Sequence, residues 1–301
     1  MPIITSLQNP RVKSAARLRD RPSRRQQGRI LIDGARELQR ALGGGVRMVE
    51  VFVCEALCRD DNTQRLLPAL SQSGCEILHV GEAVFEKLAF GHRTEGVLGV
   101  AEMPQPTLEY VATQLGWGGL GWGGLGSGGS LTATPTISLT ATPTAQSARI
   151  VPLVAVLEGV EKPGNVGAVL RSADAAGVSA VILADPRTDL YNPNAIRASL
   201  GTIFTMPVCE ADGGDVLAWL RQHQCTILAA RVDGAVPYTE VDYRRPTAIV
   251  LGSEAEGLSP IWTGDDIRAV RLPMRGAADS LNVSVTAAVL FYEALRQRSA
   301  V

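Results

Sequence analysis

The chain has 301 residues, of which 46% are hydrophobic and 20% are charged, and its formal net charge is −1 at pH 7. This is an ordinary globular composition, and the length favours two domains over one. The near-zero net charge does not by itself indicate nucleic-acid binding. No apolar run reaches membrane-spanning length, and the first nine residues lack the apolar core of a signal peptide, so we expect neither a membrane anchor nor a secretion signal.

Cysteines are few and irregularly spaced. Cys54 and Cys58 lie four positions apart, but no second pair or histidine cluster completes a zinc site. We therefore expect no bound metal, and reduced cysteines in a cytoplasmic protein. The five cysteines are Cys54, Cys58, Cys75, Cys209 and Cys225.

Basic residues are concentrated at the start of the chain, where residues 1–29 contain eight basic side chains and a single acid, Asp20. Such a segment would attract phosphate groups, and salt would screen the attraction. A solvated helix face or a simple tail explains the charge equally well, so both interpretations stay open. The candidate phosphate contacts are Arg17, Arg21, Arg24 and Arg25.

The first 103 residues alternate between strand and helix patterns. Four runs of apolar and β-branched residues predict strands, and three stretches with helical spacing of apolar residues predict helices. Together they predict a small α/β domain over residues 1–103. The predicted strands are Arg29–Ile32, Val49–Cys54, Glu76–Val80 and Val97–Ala101, and the predicted helices are Gly34–Leu42, Thr63–Ser73 and Glu82–Ala89.

Residues 104–149 differ from everything around them because they contain short tandem repeats. Gly-Trp-Gly-Gly-Leu occurs twice from residue 116, and Ser-Leu-Thr-Ala-Thr-Pro-Thr occurs at 130–136 and again at 138–144. These repeats are too short for solenoid units and too rich in Gly, Thr and Pro to bury a core. We predict a flexible linker without fixed secondary structure. Docking of its two tryptophans is the less favoured alternative.

Residues 150–301 contain the continuous apolar strands typical of a buried parallel sheet. Helical stretches lie between these strands, so we predict a βαβ architecture that ends in a long helix. The predicted strands are Val151–Leu157, Ala180–Leu183, Thr226–Ala230, Ala248–Leu251 and Ala269–Leu272. The predicted helices are Gly167–Ala176, Asn194–Leu200, Gly214–Gln222 and Asn282–Arg298.

The first motif, Asn165-x-Gly167-x-x-x-Arg171, lies where a strand ends and a helix begins. The carboxyl edge of a parallel sheet is where such folds bind ligands. Gly164 and Gly167 permit tight turns and close approach, Asn165 is a candidate helix cap, and Arg171 is placed to reach back to an anion. An ordinary capped loop with a surface arginine is the alternative.

Two further motifs follow later strands. In Gly252-Ser253-Glu254-x-x-Gly257-Leu258, glycines at both ends would let a loop wrap closely around a ligand. Glu254 could accept a hydrogen bond from a hydroxyl or an amine, or pair with a cation. Pro273-Met274 precedes Ser280-Leu281-Asn282-x-Ser284, in which Ser280 is a candidate helix cap. Capping and backbone hydrogen bonding alone would explain Ser284.

Taken in this order, the three motifs resemble the SpoU (TrmH-like) family of RNA ribose methyltransferases, in the SPOUT superfamily. The likeness covers about residues 150–298. The N-terminal part is similar to the substrate-binding domain often fused to this family, which has a fold like that of ribosomal protein L30e. The Gly/Thr/Pro linker departs from the compact join that is usual in the family.

The resemblance implies an α/β knot, in which the C-terminal segment threads through a loop, an exception to the rule that folds are unknotted. It also implies S-adenosylmethionine as cofactor and a homodimer in which both subunits contribute to the RNA site. The cofactor-binding residues that it implies are Leu251, Gly252, Glu254, Gly257, Leu272, Met274, Leu281 and Asn282.

The resemblance further implies methylation of a ribose 2′-hydroxyl, with 23S ribosomal RNA favoured over transfer RNA. Arg171 would either activate the hydroxyl or hold the adjacent phosphate; because arginine is normally protonated, the phosphate role is physically easier. Arg17, Arg21, Arg24 and Arg25 would then contact RNA. The catalytic residues that the resemblance implies are Asn165, Arg171, Glu254, Ser280 and Asn282.

Two other functions stay open. One is a non-catalytic RNA-binding protein with a degenerate methyltransferase fold, although the intact motif residues argue against it. The other is a nucleotide-binding α/β enzyme, because Gly159 and Gly164 have the glycine spacing of a P-loop. There Asn165-Val166 replaces the required Lys-Ser/Thr, which weakens that alternative.

Overall fold

A computed structural model describes residues 3–90, 95–117 and 151–299, and it contains two β-sheets. The first sheet has the order β1-β4-β2-β3. Strand β4 (Val97–Glu102) runs antiparallel to both β1 (Arg29–Asp33) and β2 (Met48–Val53). Strand β3 (Glu76–His79) pairs parallel to β2 at the edge. The four predicted strands are therefore confirmed, with boundaries that differ by one or two residues.

Helices cover both faces of this sheet. The three predicted helices are confirmed as α3, α4 and α5, whereas α1 and α2 occupy the basic N-terminal segment, for which no helix was specified. Asn9 caps α1, its side chain accepting a hydrogen bond from the backbone N–H of Arg11 at 2.9 Å. The helices are α1 (Pro10–Arg17), α2 (Arg21–Gln27), α3 (Ala35–Gly43), α4 (Asp61–Gln72) and α5 (Glu82–Leu88).

The prediction that residues 104–149 lack fixed structure is wrong at their start. Helix α6 (Leu108–Gln114) buries Leu108 and Val111 against the second sheet. Trp117 stacks on the ring of His223, with ring centroids 4.6 Å apart. Aromatic burial there outweighs the glycine-rich composition that motivated the prediction. The rest of the predicted linker, from residue 118 onward, lies outside the described residues.

The second sheet has seven parallel strands in the order β7-β6-β5-β10-β8-β11-β9. The five predicted strands are confirmed, and the short edge strands β7 and β9 are additional. Placing β10 between β5 and β8 brings two distant loops side by side at one edge. The knot implied by the resemblance stays a prediction. The strands are β5 (Leu153–Glu158), β6 (Ala180–Ala184), β7 (Val208–Ala211), β8 (Thr226–Ala230), β9 (Val236–Pro237), β10 (Thr247–Leu251) and β11 (Ile267–Arg271).

Alternate residues of the buried strands face two apolar layers, as the period of a strand requires. In β5, Ala155 and Leu157 pack with α7, α8 and α10, whereas Val154 and Val156 pack with α6 and α9. The four predicted helices are confirmed. They are α7 (Pro163–Ala175), α8 (Pro193–Ala198), α9 (Gly213–Gln222) and α10 (Val283–Ser299). No helix within the described ranges is long and apolar enough to cross a membrane.

The two sheets share one apolar core, which runs without a break from β1 and α3 to α7 and α8. Polar contacts reinforce this junction. Arg24 pairs with Asp189 at 2.5 Å, and Arg40 donates a hydrogen bond to the carbonyl of Leu200 at 2.8 Å. The junction therefore fixes how the two halves are placed, which the sequence left open.

Candidate active site

Three chain segments meet at the carboxyl edge of the second sheet, because parallel strands all end on the same side. They are the segment after β5, the loop after β10 and the long segment after β11. Each carries one of the motifs found in the sequence. The structure thus assembles three motifs that together span more than one hundred positions, from Asn165 to Ser284.

At the centre of this edge, Asn165, Glu254 and Asn282 form one hydrogen-bonded cluster. The side-chain amide of Asn165 donates to Oε1 of Glu254. The amide of Asn282 lies 3.3 Å from Oδ1 of Asn165 and 3.4 Å from Oε1 of Glu254. Three of the five predicted catalytic residues are therefore brought together, and the cluster is open to solvent.

The helix starts differ from the predicted caps. Asn165 lies inside the first turn of α7, which begins at Pro163, so its amide is free to reach Glu254 instead of capping. Asn282 precedes α10 and accepts from the backbone N–H of Ser284 at 2.9 Å and from its hydroxyl at 2.6 Å. Asn282, rather than Ser280, is therefore the cap, because α10 starts at Val283, two residues later than a cap at Ser280 would require.

The loop after β10 is a tight turn closed by two backbone hydrogen bonds between Ser253 and Gly257, at 3.1 and 3.0 Å. Gly252 lies directly against this closure. A Cβ atom at Gly252 would come within 2.2 Å of the carbonyl group of Gly257, so any side chain would force the loop open. The turn projects Glu254 towards Asn165, and glycine at both ends is what permits it.

Glu158 is a functional residue that sequence analysis did not single out. It ends β5, is 5% exposed, and accepts from the backbone N–H of Ser259 at 2.7 Å and from its hydroxyl at 2.5 Å. A buried carboxylate needs such partners, and here they fasten the loop after β10 to the end of β5. The signal available in the sequence was a glutamate directly after an apolar strand.

Arg187 forms a second bridge between the same loops, on their exposed side. Its guanidinium contacts Glu256 and lies 2.7 Å from Oε1 of Glu161. Hydrogen bonds with Glu256 and Glu161 raise the pKa of Arg187. All three groups are about half exposed, so the bridge adds little to stability and acts mainly on loop geometry.

The predicted cofactor residues lie at this edge, at the end of β10 and in the segment that follows β11. Leu251 is buried, Leu272 and Met274 are half-buried, and Leu281 is 39% exposed. From Pro273 to Leu281, neither backbone nor side chains form a hydrogen bond with any described part of the chain. Apolar side chains next to unpaired backbone groups suit a ligand that has an aromatic ring and polar ends.

Arg171 does not join the cluster. It is exposed on α7, and its guanidinium forms no hydrogen bond or ion pair with the described residues. It instead lines an open cleft between α7 and α8. Ser280 is likewise exposed and unconnected to the cluster across the described part of the chain. The structure therefore separates these two predicted catalytic residues from the other three.

The predicted RNA contacts of the N-terminal segment divide into two kinds. Arg24 is 1% exposed, donates to the carbonyls of Leu18 and Arg19, and pairs with Asp189, so its assignment to RNA binding is wrong. Because a buried guanidinium needs such partners, Arg24 has a structural role at the junction between the sheets.

Arg21 also faces this junction, 4.0 Å from the carboxylate of Asp189. Arg17 and Arg25 are exposed, and their side chains have no hydrogen bond or ion pair within the described ranges. Only these two of the four predicted contacts are free to meet RNA. The basic segment is therefore partly a structural element and partly an open cationic surface.

Titratable groups elsewhere in the described part of the chain offer no competing metal centre. The described residues contain no group of three or more His, Cys, Asp or Glu side chains placed to hold a metal ion. The five cysteines are unpaired, and burial raises the pKa of Cys209 to about 12. Thiols with so high a pKa are not reactive nucleophiles.

The sequence model of the SpoU rRNA methylase family matches residues 152–292, and the model of the MRM3-like substrate binding domain matches residues 9–99. A relative from Bordetella pertussis, named 23S rRNA (guanosine-2′-O-)-methyltransferase RlmB, is 30% identical over 250 residues, which are 83% of this chain and 89% of that protein. The chain belongs to the SpoU rRNA methylase family. This confirms the resemblance found in the sequence.

Two solved methyltransferase structures are similar to this protein over almost the whole chain. One, described as an RNA 2′-O ribose methyltransferase, is 39% identical and has a TM-score of 0.76. The alignment covers 99% of this chain and 100% of that one. Another, an AdoMet-bound rRNA methyltransferase from Sinorhizobium meliloti, is 24% identical with a TM-score of 0.77 over 98% of this chain and 97% of that one, and shows the shared fold.

Several other curated relatives align with only about half of the chain. The match to the Streptomyces viridochromogenes 23S rRNA (uridine-2′-O)-methyltransferase spans 50% of that protein, at 34% identity over 45% of this chain. Two more alignments span 59% and 60% of their relatives. The chain therefore spans only about half to three fifths of the length of these relatives.

Proposed function

We propose that this protein transfers a methyl group from S-adenosylmethionine to a ribose 2′-hydroxyl of ribosomal RNA. The observation that carries the proposal is the cluster of Asn165, Glu254 and Asn282 at the carboxyl edge of the parallel sheet. It lies between a segment with unpaired backbone groups and a cleft lined by arginine. A polar centre between a ligand pocket and a cationic surface suits transfer from a small donor to a polyanion.

On the donor side, the cofactor supplies an activated methyl group on a sulfonium centre. Leu251, Gly252, Leu272, Met274 and Leu281 would hold it, through their apolar side chains and the backbone beside them. These residues fit the group because they combine an apolar surface with free N–H and C=O groups. Gly257 would keep the loop after β10 close to the pocket without placing a side chain in it.

On the acceptor side, the carboxylate of Glu254 can accept a hydrogen bond from the target hydroxyl. The amides of Asn165 and Asn282 hold that carboxylate in place. Arg171 has no carboxylate among the described residues to neutralise it. This supports the phosphate-holding role over the base role, because a guanidinium stays protonated and grips phosphate through two parallel N–H groups.

Ribosomal RNA is the proposed substrate class for two reasons. The two Bordetella relatives, which match over 89% of their own length, carry names that specify 23S rRNA. The N-terminal half also matches a substrate-binding domain model. Transfer RNA is the alternative.

A homodimer is the proposed assembly, in the cytoplasm. Val285 and Tyr292 on α10 are 48% and 51% exposed, and with Leu281 they form an apolar stripe that follows directly from the site. An exposed apolar helix face of this kind needs a partner, and a second copy of the chain would place its own side chains next to Asn282. Light scattering of the purified chain tests this by its mass.

The decisive experiment has two measurements on the full chain. Calorimetry with S-adenosylmethionine should show binding, whereas ATP should not bind. Ribosomal RNA from cells lacking the gene should accept a labelled methyl group, and 2′-O-methyl mapping should place it at a defined nucleotide. Binding of ATP alone would favour the nucleotide-binding alternative. Cofactor binding without transfer to any RNA would favour the non-catalytic RNA-binding protein.

A further inference from the structure

A cleft next to the site is lined by two arginines from different helices, Arg171 of α7 and Arg197 of α8. Its volume of about 640 Å³ is that of a small-molecule site and is larger than a single anion requires. Among the described residues, no carboxylate lines it. The lining residues are Pro163, Gly164, Arg171, Asn194, Arg197, Ala198 and Leu200.

Close packing of the two helices sets the geometry of the cleft. Gly167 of α7 lies against α8 so tightly that a Cβ atom there would come within 2.4 Å of the carbonyl oxygen of Ala195. With no side chain between them, the helices place Arg171 and Arg197 along the same opening. A third arginine, Arg40, donates to the carbonyl of Leu200 at 2.8 Å, which adds positive charge to the same wall.

Arg197 is held in place from the other half of the molecule. Its Nη1 donates to the carbonyl of Phe90 at 3.1 Å. Phe90 is itself fixed, because its N–H donates to the carboxylate of Asp33 at 2.7 Å and the guanidinium of Arg19 lies 4.7 Å from the centre of its ring. One N–H group of Arg197 is thus used for positioning, and the others point to no described partner.

We propose that Arg197, with Asn194, forms a second phosphate subsite that binds the RNA backbone beside the nucleotide held at Arg171. The inference rests on the proposed function and names where its substrate strand lies, along the cleft between α7 and α8 towards the junction with the first sheet. Two guanidinium groups in one cleft, with no carboxylate among the described residues that line it, favour a chain of phosphates. The carboxylate of the cofactor is another anion that the same groups would accept.

The test compares Arg197→Gln with a matched control, Arg268→Ala. Glutamine keeps a donor for the carbonyl of Phe90 but removes the charge. Arg268 is an exposed arginine near the amino end of β11, at the opposite edge of the sheet. Filter binding of 23S rRNA from cells lacking the gene is measured across a salt series, followed by methyl-transfer kinetics and calorimetry with S-adenosylmethionine.

For Arg197→Gln we expect the slope of log Kd against log salt to fall by about 1, the value for one lost phosphate contact. KM for RNA should rise while kcat at saturating RNA, cofactor affinity and melting temperature stay unchanged, and Arg197→Lys should recover most of the salt slope. Arg268→Ala should behave as the unsubstituted protein.

An unchanged salt slope and KM for Arg197→Gln would overturn the subsite, and so would a loss confined to cofactor affinity, which would assign the cleft to the cofactor carboxylate. The two proposals fail separately. RNA binding that depends on Arg197 without any methyl transfer would contradict the proposed function and leave the subsite standing. Methyl transfer that is unchanged by Arg197→Gln, in both KM for RNA and salt slope, would contradict the subsite and leave the proposed function standing.

Discussion

The molecule uses arginine in opposite ways in two regions. In the N-terminal segment, Arg24 is buried, bonded to two carbonyls and paired with Asp189 across the junction between the sheets. In the cleft beside the site, Arg171 has no partner among the described residues and Arg197 uses a single N–H group on Phe90. The region with the higher density of basic residues in the sequence is thus the one whose charges are more fully satisfied.

This difference shows that basic composition alone does not identify a binding surface. A guanidinium that already meets carbonyls and a carboxylate would have to break those contacts to bind phosphate. A guanidinium that has no acidic neighbour keeps its charge available to bind phosphate. Substitutions in the two regions should therefore affect different quantities, stability in the first and RNA methylation in the second.

The largest effect is expected at Arg171. Arg171→Ala should abolish detectable methyl transfer, a loss on the order of 10³-fold in kcat, because the charge proposed to hold the phosphate beside the target hydroxyl is removed. Arg171→Lys should also fail, since an ammonium group lacks the planar fork that holds phosphate from two sides. Transfer of labelled methyl groups to 23S rRNA measures both.

The controls for Arg171 are stability and cofactor binding. Because the side chain is exposed and unpaired within the described ranges, melting temperature should not change. Affinity for S-adenosylmethionine should also be retained, since the pocket is formed by later segments around Gly252 and Leu281. Near-normal turnover by Arg171→Ala would make it a surface residue on an otherwise correct fold.

Arg24 should behave in the opposite way. Arg24→Ala leaves Asp189 partly buried without its partner and two carbonyls without a donor, so the free energy of unfolding should fall by about 3–5 kcal/mol. Denaturant titration measures the loss. The matched control is Arg25→Ala, an exposed neighbour that should change stability by less than about 0.5 kcal/mol. Equal stability of the two variants would contradict the structural role of Arg24.

Much of the fold was predictable because it depends on local patterns. Continuous apolar runs such as Ala248–Leu251 are buried on both faces and can only be central strands. Elements stabilised by distant partners were not predictable: α6 depends on aromatic contacts with α9, and β9 is two residues long and depends on β11. Spacing within a segment contains no information about such contacts.

The candidate site was predictable to the extent that its residues lie in compact motifs. Asn165, Glu254 and Asn282 were predicted because they belong to motifs that resemble those of the SpoU family. Arg197 was missed because nothing in its own helix marks it, and its role depends on Phe90 and Arg171, which are 107 and 26 positions away. The assignment of Arg24 failed for the same reason, since its partner Asp189 is 165 positions distant.

The smallest effect is expected at the two free arginines of the N-terminal segment. Arg17 and Arg25 are exposed, but they do not line the cleft, and their side chains form no hydrogen bond or ion pair within the described chain. Flexible single charges contribute little beyond general attraction of phosphate, which salt screens. Arg17→Gln combined with Arg25→Gln should therefore weaken RNA binding modestly and uniformly, with the salt slope reduced by at most about 2. The kcat at saturating RNA and cofactor affinity should not change. Filter binding across a salt series measures the slope, and an unchanged slope would make the whole basic segment structural. A loss of methyl transfer as large as that of Arg171→Ala would show that free charge there contributes to catalysis.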